Sequence, residues 1–287
     1  KMLERCERGQ WSVDDFDWTV RPIALDAAQE RQLCAYYVNM SYIERLAGAL
    51  FLSLARRVDD PTLAAIFTSF HADELRHSHA AARLADYFDV HHYQLYTPNI
   101  AMLRFMHAFV RMAESLHPAY ATSLMLGGEL ILDIALLRGL NGYVADPLSQ
   151  AVVERINQDE SRHLAMDVFM TEYLAHPDHG LAAGATTPWL HGAYWGVLTW
   201  APEFFTEVFF RPMQTLDPSQ EHMREAMGRL RRLYDRPQVA GNPAVQQFQS
   251  FVTFFESTVG SWIGAVFVET IRRAFAVDLS FAYAGAR

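Results

Sequence analysis

The sequence is short of several features that define other classes of protein. It has only two cysteines, Cys6 and Cys34, among 287 residues. Stretches in which apolar and polar residues alternate, which are typical of half-buried strands, are nearly absent. Two cysteines allow one disulfide at most, and we expect a reducing cytoplasmic location in which both remain thiols. These shortages argue against a disulfide-stabilised secreted scaffold and against a β-sheet protein.

Positive charge is also scarce. Lysine and arginine total 24 against 33 aspartates and glutamates, which gives a net charge of −9. The basic residues occur singly or in pairs, so we predict no basic groove for nucleic acid. No signal peptide is expected, and the most apolar stretch, residues 251–268, contains Glu256. We interpret that stretch as a buried core helix, since a membrane span needs about 20 clean apolar residues.

Apolar residues at helical spacing are abundant. Hydrophobic residues make up 51% of the chain, which is enough for an ordered core. Their recurrence every three or four residues predicts an all-α fold. The predicted helices cover about 26–57, 61–88, 97–115, 118–140, 147–175, 188–211, 218–234 and 243–275, with loops at 176–187 and 236–242. We expect one domain over 1–287, with a helical bundle over about 26–175 and C-terminal helices over about 188–275 that cover a pocket.

Two segments of the chain repeat one pattern. In each, a single glutamate within an apolar helix precedes a Glu-x-x-His motif by 30 or 31 residues. The six residues are Glu44, Glu74 and His77 in the first copy, and Glu129, Glu160 and His163 in the second. The second helix of each copy begins with Asp-Pro, and the motif glutamate follows that proline by 13 positions. Aspartate caps free N–H groups and proline suits the first helical position, so the repeat predicts two similar helical hairpins.

The spacing within the repeat suits metal ligands carried on helices. Residues three apart lie on one helix face, so the glutamate and histidine of each motif can bind the same ion. The single glutamates, Glu44 and Glu129, come from the other two helices and can bridge the two ions. Four carboxylates and two imidazoles, without a thiolate, favour iron or manganese over structural zinc. The alternative interpretation is that the single glutamates form core ion pairs with arginines, because an unpaired buried glutamate is costly.

The residues inside and beside the motifs predict how the histidines are held. Both motifs read Asp-Glu-x-Arg-His, with Asp73 and Arg76 in the first copy and Asp159 and Arg162 in the second. A ligating histidine usually donates its other N–H group to a carboxylate. We expect a crosswise arrangement, in which Asp73 serves the second histidine and Asp159 the first. The two arginines then neutralise the aspartates.

Three further residues are weaker candidates for the site. His71 lies three residues before Glu74 and shares its helix face, although a core or rim position is the favoured interpretation. Asp133 follows Glu129 by four residues and could orient it or replace it as the ligand. Tyr42 lies on a different helix face from the ligands and is a candidate radical site or proton donor.

Glycines and aromatic residues predict where a small molecule could bind. Glycines lie near both single glutamates, at positions 48, 127 and 128. They predict either close helix packing or room for oxygen and substrate. The last hundred residues are rich in aromatic side chains, and helices added to a bundle could form the wall of an apolar pocket.

The order of the ligands resembles the carboxylate-bridged di-iron branch of the ferritin-like superfamily, which includes ribonucleotide reductase small subunits and acyl-carrier-protein desaturases. The match covers residues 40–170. The Asp-Phe-Asp-Trp sequence at 15–18 and the phrase over 146–163 are similar to the p-aminobenzoate N-oxygenase group. That group has an additional histidine ligand one turn before the last glutamate, where this chain has Ile156. The resemblance therefore implies six ligands here, where that group has seven.

The resemblance also implies a ferritin-like four-helix bundle that binds two iron ions, or an iron–manganese pair, and reacts with O2. The expected substrate is an apolar or aromatic small molecule that is hydroxylated or N-oxygenated, with electrons from an external reductase or ferredoxin. The sequence has no Gly-x-Gly-x-x-Gly motif, so we expect no bound dinucleotide cofactor to supply the electrons. The alternatives are a fatty-acyl desaturase-like oxidase, a ferroxidase or iron-storage protein, and a metal-free scaffold. A homodimer is expected, as for related folds.

Overall fold

The computed structural model describes residues 1–130, 137–176, 190–216, 218–219 and 221–257, together with positions 266 and 273. All the regular elements in these ranges are helices, which confirms the all-α prediction. The α-helices are α1 (Met2–Arg8), α2 (Ala27–Ala55), α3 (Pro61–Phe88), α4 (Ile100–Ser115), α5 (Pro118–Leu130), α6 (Arg138–Tyr143), α7 (Pro147–Tyr173), α8 (Gly192–Phe204), α9 (Arg211–Leu216), α10 (Glu221–Tyr234) and α11 (Pro243–Glu256). A π-helical segment, Phe205–Phe210, joins α8 to α9, and short 3-10 helices occur at Val13–Asp15 and Pro237–Val239.

The two Asp-Pro sequences start helices as predicted. The carboxylate of Asp60 accepts hydrogen bonds from the backbone N–H groups of Thr62 and Leu63 at the start of α3. Asp146 accepts one from Ser149 at the start of α7. A cap of this kind contributes about 1 kcal/mol to helix stability. The helices that carry the two Glu-x-x-His motifs, α3 and α7, therefore begin at corresponding positions of the repeat.

Several helix boundaries differ from the prediction for local reasons. The helix predicted from 97 begins at Ile100, because Asn99 caps it by accepting a hydrogen bond from the backbone N–H of Ala101. The helix predicted to end at 211 continues through the π-helical segment to Leu216. The helix predicted from 218 begins at Glu221.

Helix α1 and the two 3-10 helices were missed, and parts of the prediction lie outside the described residues. Helix α1 was not predicted, since seven residues give no periodic pattern; it packs against α3. The predicted 236–242 loop contains the short 3-10 helix noted above. Positions 131–136, with Asp133, and most of 257–275 lie outside the described residues. Both cysteines are buried and form no disulfide, and no described helix is long and apolar enough to cross a membrane.

The four helices that carry the repeat pack around a common interior. Helix α2 packs extensively on α3, and α5 packs on α7. Contacts of α3 with α7 and of α2 with α5 join the two pairs into a closed ring. Helix α8 lies against α4, while α10 and α11 pack on α5. Helices α10 and α11 therefore lie on the α5 side of the ring.

Glycines on α2 and α5 have different surroundings. A Cβ atom at Gly48 would lie 3.1 Å from Cβ of Glu74 and 3.3 Å from Nδ1 of His71. A Cβ atom at Gly128 would meet no atom of the described residues within 4 Å. Close helix packing therefore accounts for Gly48, whereas Gly128, next to Glu129, borders space that the described residues leave open.

We expect Gly48→Ala to destabilise the protein by about 1 to 3 kcal/mol, because α2 and α3 would have to separate. Gly128→Ala is the matched control, and its higher helix propensity should stabilise the protein by about 0.5 to 1 kcal/mol. Urea unfolding of the metal-free variants measures both effects. Equal shifts in the two variants would contradict this account of Gly48.

Candidate metal centre

The six predicted ligands lie together inside the ring of helices. None of them is more than 3% exposed. Helix α2 supplies Glu44, α3 supplies Glu74 and His77, α5 supplies Glu129, and α7 supplies Glu160 and His163. Their potential ligand atoms form two groups, and within each group the atoms lie within 4.8 Å of one another. The first group is Glu44, Glu74, His77 and Glu160; the second group is Glu74, Glu129, Glu160 and His163.

The two groups share the glutamates of the Glu-x-x-His motifs. We predicted that the single glutamates, Glu44 and Glu129, would bridge two ions. The structure instead places Glu74 and Glu160 in both groups and each single glutamate in only one. The side-chain distances account for this, because Glu74 and Glu160 each lie within 3.7 Å of Nδ1 of both histidines.

Each histidine directs Nδ1 toward both shared glutamates. Nδ1 of His77 lies 3.0 Å from Oε1 of Glu160 and 3.7 Å from Oε2 of Glu74. Nδ1 of His163 lies 3.0 Å from Oε1 of Glu74 and 3.2 Å from Oε2 of Glu160. One oxygen of each shared glutamate thus faces each histidine. This arrangement allows each carboxylate to bind two cations at once.

The other ring nitrogen of each histidine faces an aspartate from the opposite motif. Nε2 of His77 donates to Oδ2 of Asp159 at 3.0 Å, and Nε2 of His163 donates to Oδ2 of Asp73 at 3.5 Å. The crosswise contacts expected from the sequence are present. A proton on Nε2 leaves the Nδ1 lone pair available to a metal ion.

Arg76 and Arg162 neutralise the two aspartates. Nη1 of Arg76 donates to Asp73 at 2.8 Å, and Nη2 of Arg162 donates to Asp159 at 2.6 Å and to Asp73 at 3.2 Å. Burial by itself raises the pKa of Asp73. The hydrogen bond and charge of His163, with those of Arg76, outweigh burial and lower that pKa to about 2. Asp73 therefore remains a carboxylate that can hold the imidazole in place.

The cluster carboxylates repel one another when no cation lies between them. Burial, followed by the charges of Glu74 and Glu160, raises the pKa of Glu44 well above its ordinary value. Burial, followed by the charge of Glu160, does the same for Glu129. Burial would also raise the pKa of Glu160, but the hydrogen bond from Glu129 and the charge of His163 lower it. Without cations, Glu44 and Glu129 therefore favour their protonated forms.

The segment that precedes α2 covers the aspartates and arginines. Nε1 of Trp11 donates to Oδ2 of Asp159 at 2.8 Å, and the indole stacks on His77 with ring centroids 6.3 Å apart. Nε2 of Gln10 donates to Asp73 at 3.2 Å, and its amide oxygen accepts from Arg76. These contacts could not be predicted, because this segment has no helical period that continues into the motifs.

We expect Trp11→Phe to lower metal affinity about tenfold, because hydrogen-bond partners outside the ligand set orient the ligands. Phenylalanine keeps the ring next to His77 and removes only the indole N–H donor. Trp18→Phe is the matched control, since its indole donates to the backbone oxygen of Val13 at 2.8 Å and not to the cluster. Calorimetric titration with Mn²⁺ measures both, and equal affinities would contradict a role for Trp11.

The weaker candidates lie outside both ligand groups, or outside the described residues. Nδ1 of His71 is hydrogen-bonded to the backbone oxygen of Gly48 at 2.8 Å, which fits a rim position. Tyr42 is partly buried, with the guanidinium of Arg45 5.3 Å from its ring centroid. Asp133 lies outside the described residues, and Ile156 is buried among apolar side chains.

Two buried polar residues near the cluster were missed by the sequence analysis. Asp167 on α7 is 0% exposed, and neither carboxyl oxygen has a hydrogen-bond partner among the described residues. Its position, four residues after His163, is a signal that could have found it. The hydroxyl of Tyr36 on α2, two turns before Glu44, is also buried and forms no hydrogen bond within the same ranges.

No model of a protein family matches the chain, and a search of curated proteins gives no significant match.

Proposed function

We propose that this chain is a ferritin-like, non-haem di-iron protein that uses O2 to oxidise an apolar or aromatic small molecule. The observation that carries the proposal is the pair of buried ligand groups that share Glu74 and Glu160. A glutamate from each of two helices and a Glu-x-x-His motif from each of two others is the ligand plan of di-iron bundles. The pairwise packing of these same four helices is consistent with such a bundle.

The atoms that form no hydrogen bond with the described residues fit a pair of cations. Buried atoms with no hydrogen-bond partner include Oε2 of Glu44, both oxygens of Glu74, Oε2 of Glu129 and Nδ1 of His77. Such atoms are costly to bury unless something satisfies them. Four carboxylates balance the charge of two divalent ions, and oxygen and nitrogen donors without thiolate suit iron or manganese. An iron–manganese pair would use the same donors.

The protein's own groups would hold the ions and shield them from water. Two iron ions, when bound, supply the redox chemistry toward O2 and substrate. The crosswise aspartates keep both imidazoles oriented, and the paired arginines keep those aspartates charged. The aromatic rings of Phe70 and Trp11 pack against His163 and His77, with centroids 4.2 Å and 6.3 Å apart. Both histidines are 0% exposed, so ions bound to them would be shielded from water on that side.

Oxygen and substrate would approach from the α5 side. Gly128 borders open space next to Glu129, while Gly48 on α2 is tightly packed. Helices α10 and α11 pack on α5 and would form the wall of the expected pocket. We infer that electrons come from an external reductase or ferredoxin, as the sequence predicts.

Anaerobic loading with Fe²⁺ tests the proposal. We expect about two irons per chain, and a visible absorption band that forms and decays after rapid mixing with O2. Mineral growth beyond two irons would favour an iron-storage protein. Failure to bind iron would leave a metal-free scaffold and reject the proposal.

Two substitutions with matched controls attribute the result to the cluster. His77→Ala and Glu160→Ala should abolish loading of the iron pair. His79→Ala and Glu154→Ala change the same residue types at exposed positions on the same two helices and should leave it intact. Iron content, measured after gel filtration, distinguishes these outcomes without any substrate.

A further inference from the structure

The second ligand group has a carboxylate beside it that the first group lacks. Asp167 follows His163 by four residues and Glu160 by seven, so it shares their face of α7. At the matching position of the repeat, four residues after His77, α3 carries Ala81. Both positions are 0% exposed. The repeat is therefore broken at this pair of positions, and the difference adds negative charge to one side of the cluster.

In the described part of the chain, neither carboxyl oxygen of Asp167 forms a hydrogen bond. Glu74 is the only other carboxyl group there whose two oxygens are both buried without one. Asp167 shares a face of α7 with His163, which belongs to the second group only, so it lies toward that group. Its charge interacts with those of His163, Glu160 and Glu74, and it also acts on Glu129. A buried carboxylate is costly unless it is paired with a cation.

We propose that Asp167 strengthens the binding of the cation in the second group and makes the two metal positions unequal. The inference rests on the proposed function, because it requires both groups to bind cations. Without Asp167, each group has three carboxylates and one imidazole, so similar affinities would be expected. Asp167 is in neither group, so it acts as an outer carboxylate that attracts the ion and orients its ligands. The second group therefore fills first.

Anaerobic titration with Mn²⁺ tests this, with free Mn²⁺ measured from its electron paramagnetic resonance signal. The unsubstituted chain should bind two ions with dissociation constants that differ at least tenfold. Asp167→Asn should weaken the tighter site by about 10- to 100-fold and leave the count at two. Asp167→Glu, which retains the charge, should keep most of the difference. Glu154→Gln, on the exposed face of α7, is the matched control and should change neither constant.

Two ligand substitutions assign the tighter site to one group. Glu44→Gln removes a donor from the first group only, so the tighter site should survive. Glu129→Gln removes one from the second group only, so the tighter site should be lost. The opposite pattern would overturn the inference.

The unsubstituted chain alone can also decide the question, so the inference does not depend on every variant folding. Two equal affinities would overturn it and leave the proposed function standing. An Asp167→Asn variant with the same two Mn²⁺ dissociation constants as the unsubstituted chain would also overturn the inference and leave the proposed function standing. If the unsubstituted chain bound no Mn²⁺, the proposed function and the inference would both fail.

Discussion

The metal-free protein is expected to lose stability as the pH rises from about 5 to 8, by at least about 1 kcal/mol per pH unit. Folding raises the pKa of Glu44 and Glu129 above the ordinary 4.5, and that of His77 and His163 above 6.5. The folded chain therefore binds more protons than the unfolded chain. The glutamate contribution to stability is complete below pH 4.5, and the histidine contribution below pH 6.5. Each is lost as the pH rises toward the raised pKa.

The metal-loaded protein should respond to pH in the opposite sense. Metal ions bind deprotonated ligands, so metal affinity rises with pH and offsets the loss of folding stability. Urea unfolding at several pH values, in EDTA and in excess Mn²⁺, measures both slopes. If the free energy of unfolding changed with pH by the same amount in EDTA and in Mn²⁺, protons and cations would not compete for this cluster.

The ligand set was predictable because it depends on local geometry. A separation of three residues fixes a common helix face whatever surrounds the helix. The capping aspartates Asp60 and Asp146 fix where α3 and α7 begin. A step of one residue turns the side chain by about 100 degrees, which is why Asp73 and Asp159 reach the opposite histidines.

Features that depend on how the helices are placed relative to one another were predicted less well. Which glutamates lie near both histidines depends on how the four helices are placed around the interior, and no sequence spacing specifies that placement. The sequence therefore led us to assign bridging to Glu44 and Glu129. The segment with Gln10 and Trp11 is held by tertiary hydrogen bonds and has no periodic signal. Asp167 lies on the same face of α7 as Glu160 and His163. It is outside the Glu-x-x-His motif, so the motif did not identify it.

Arg162→Met is expected to destabilise the protein by about 3 kcal/mol, because it leaves two buried carboxylates with too little positive charge. The side chain of Arg162 is 12% exposed, and those of Asp73 and Asp159 are 0% and 1% exposed. Methionine has a similar length, so the variant removes the charge and its hydrogen bonds with little loss of packing. Arg155→Met, at an exposed position on the same helix, is the matched control and should change stability by less than about 0.5 kcal/mol.

The same substitution should also release the N-terminal segment. Gly9 packs so closely on Arg162 that a Cβ atom there would lie 2.7 Å from Nη1 of the guanidinium. Trp11 and Gln10 reach the same aspartates that Arg162 neutralises. We therefore expect faster hydrogen exchange over residues 1–11 in Arg162→Met and unchanged exchange there in Arg155→Met. A stable Arg162→Met variant whose residues 1–11 stay protected from hydrogen exchange would contradict this account. It would mean that Asp73 and Asp159 do not require the charge of Arg162, and that Arg76 alone suffices for these two aspartates to hold the histidines.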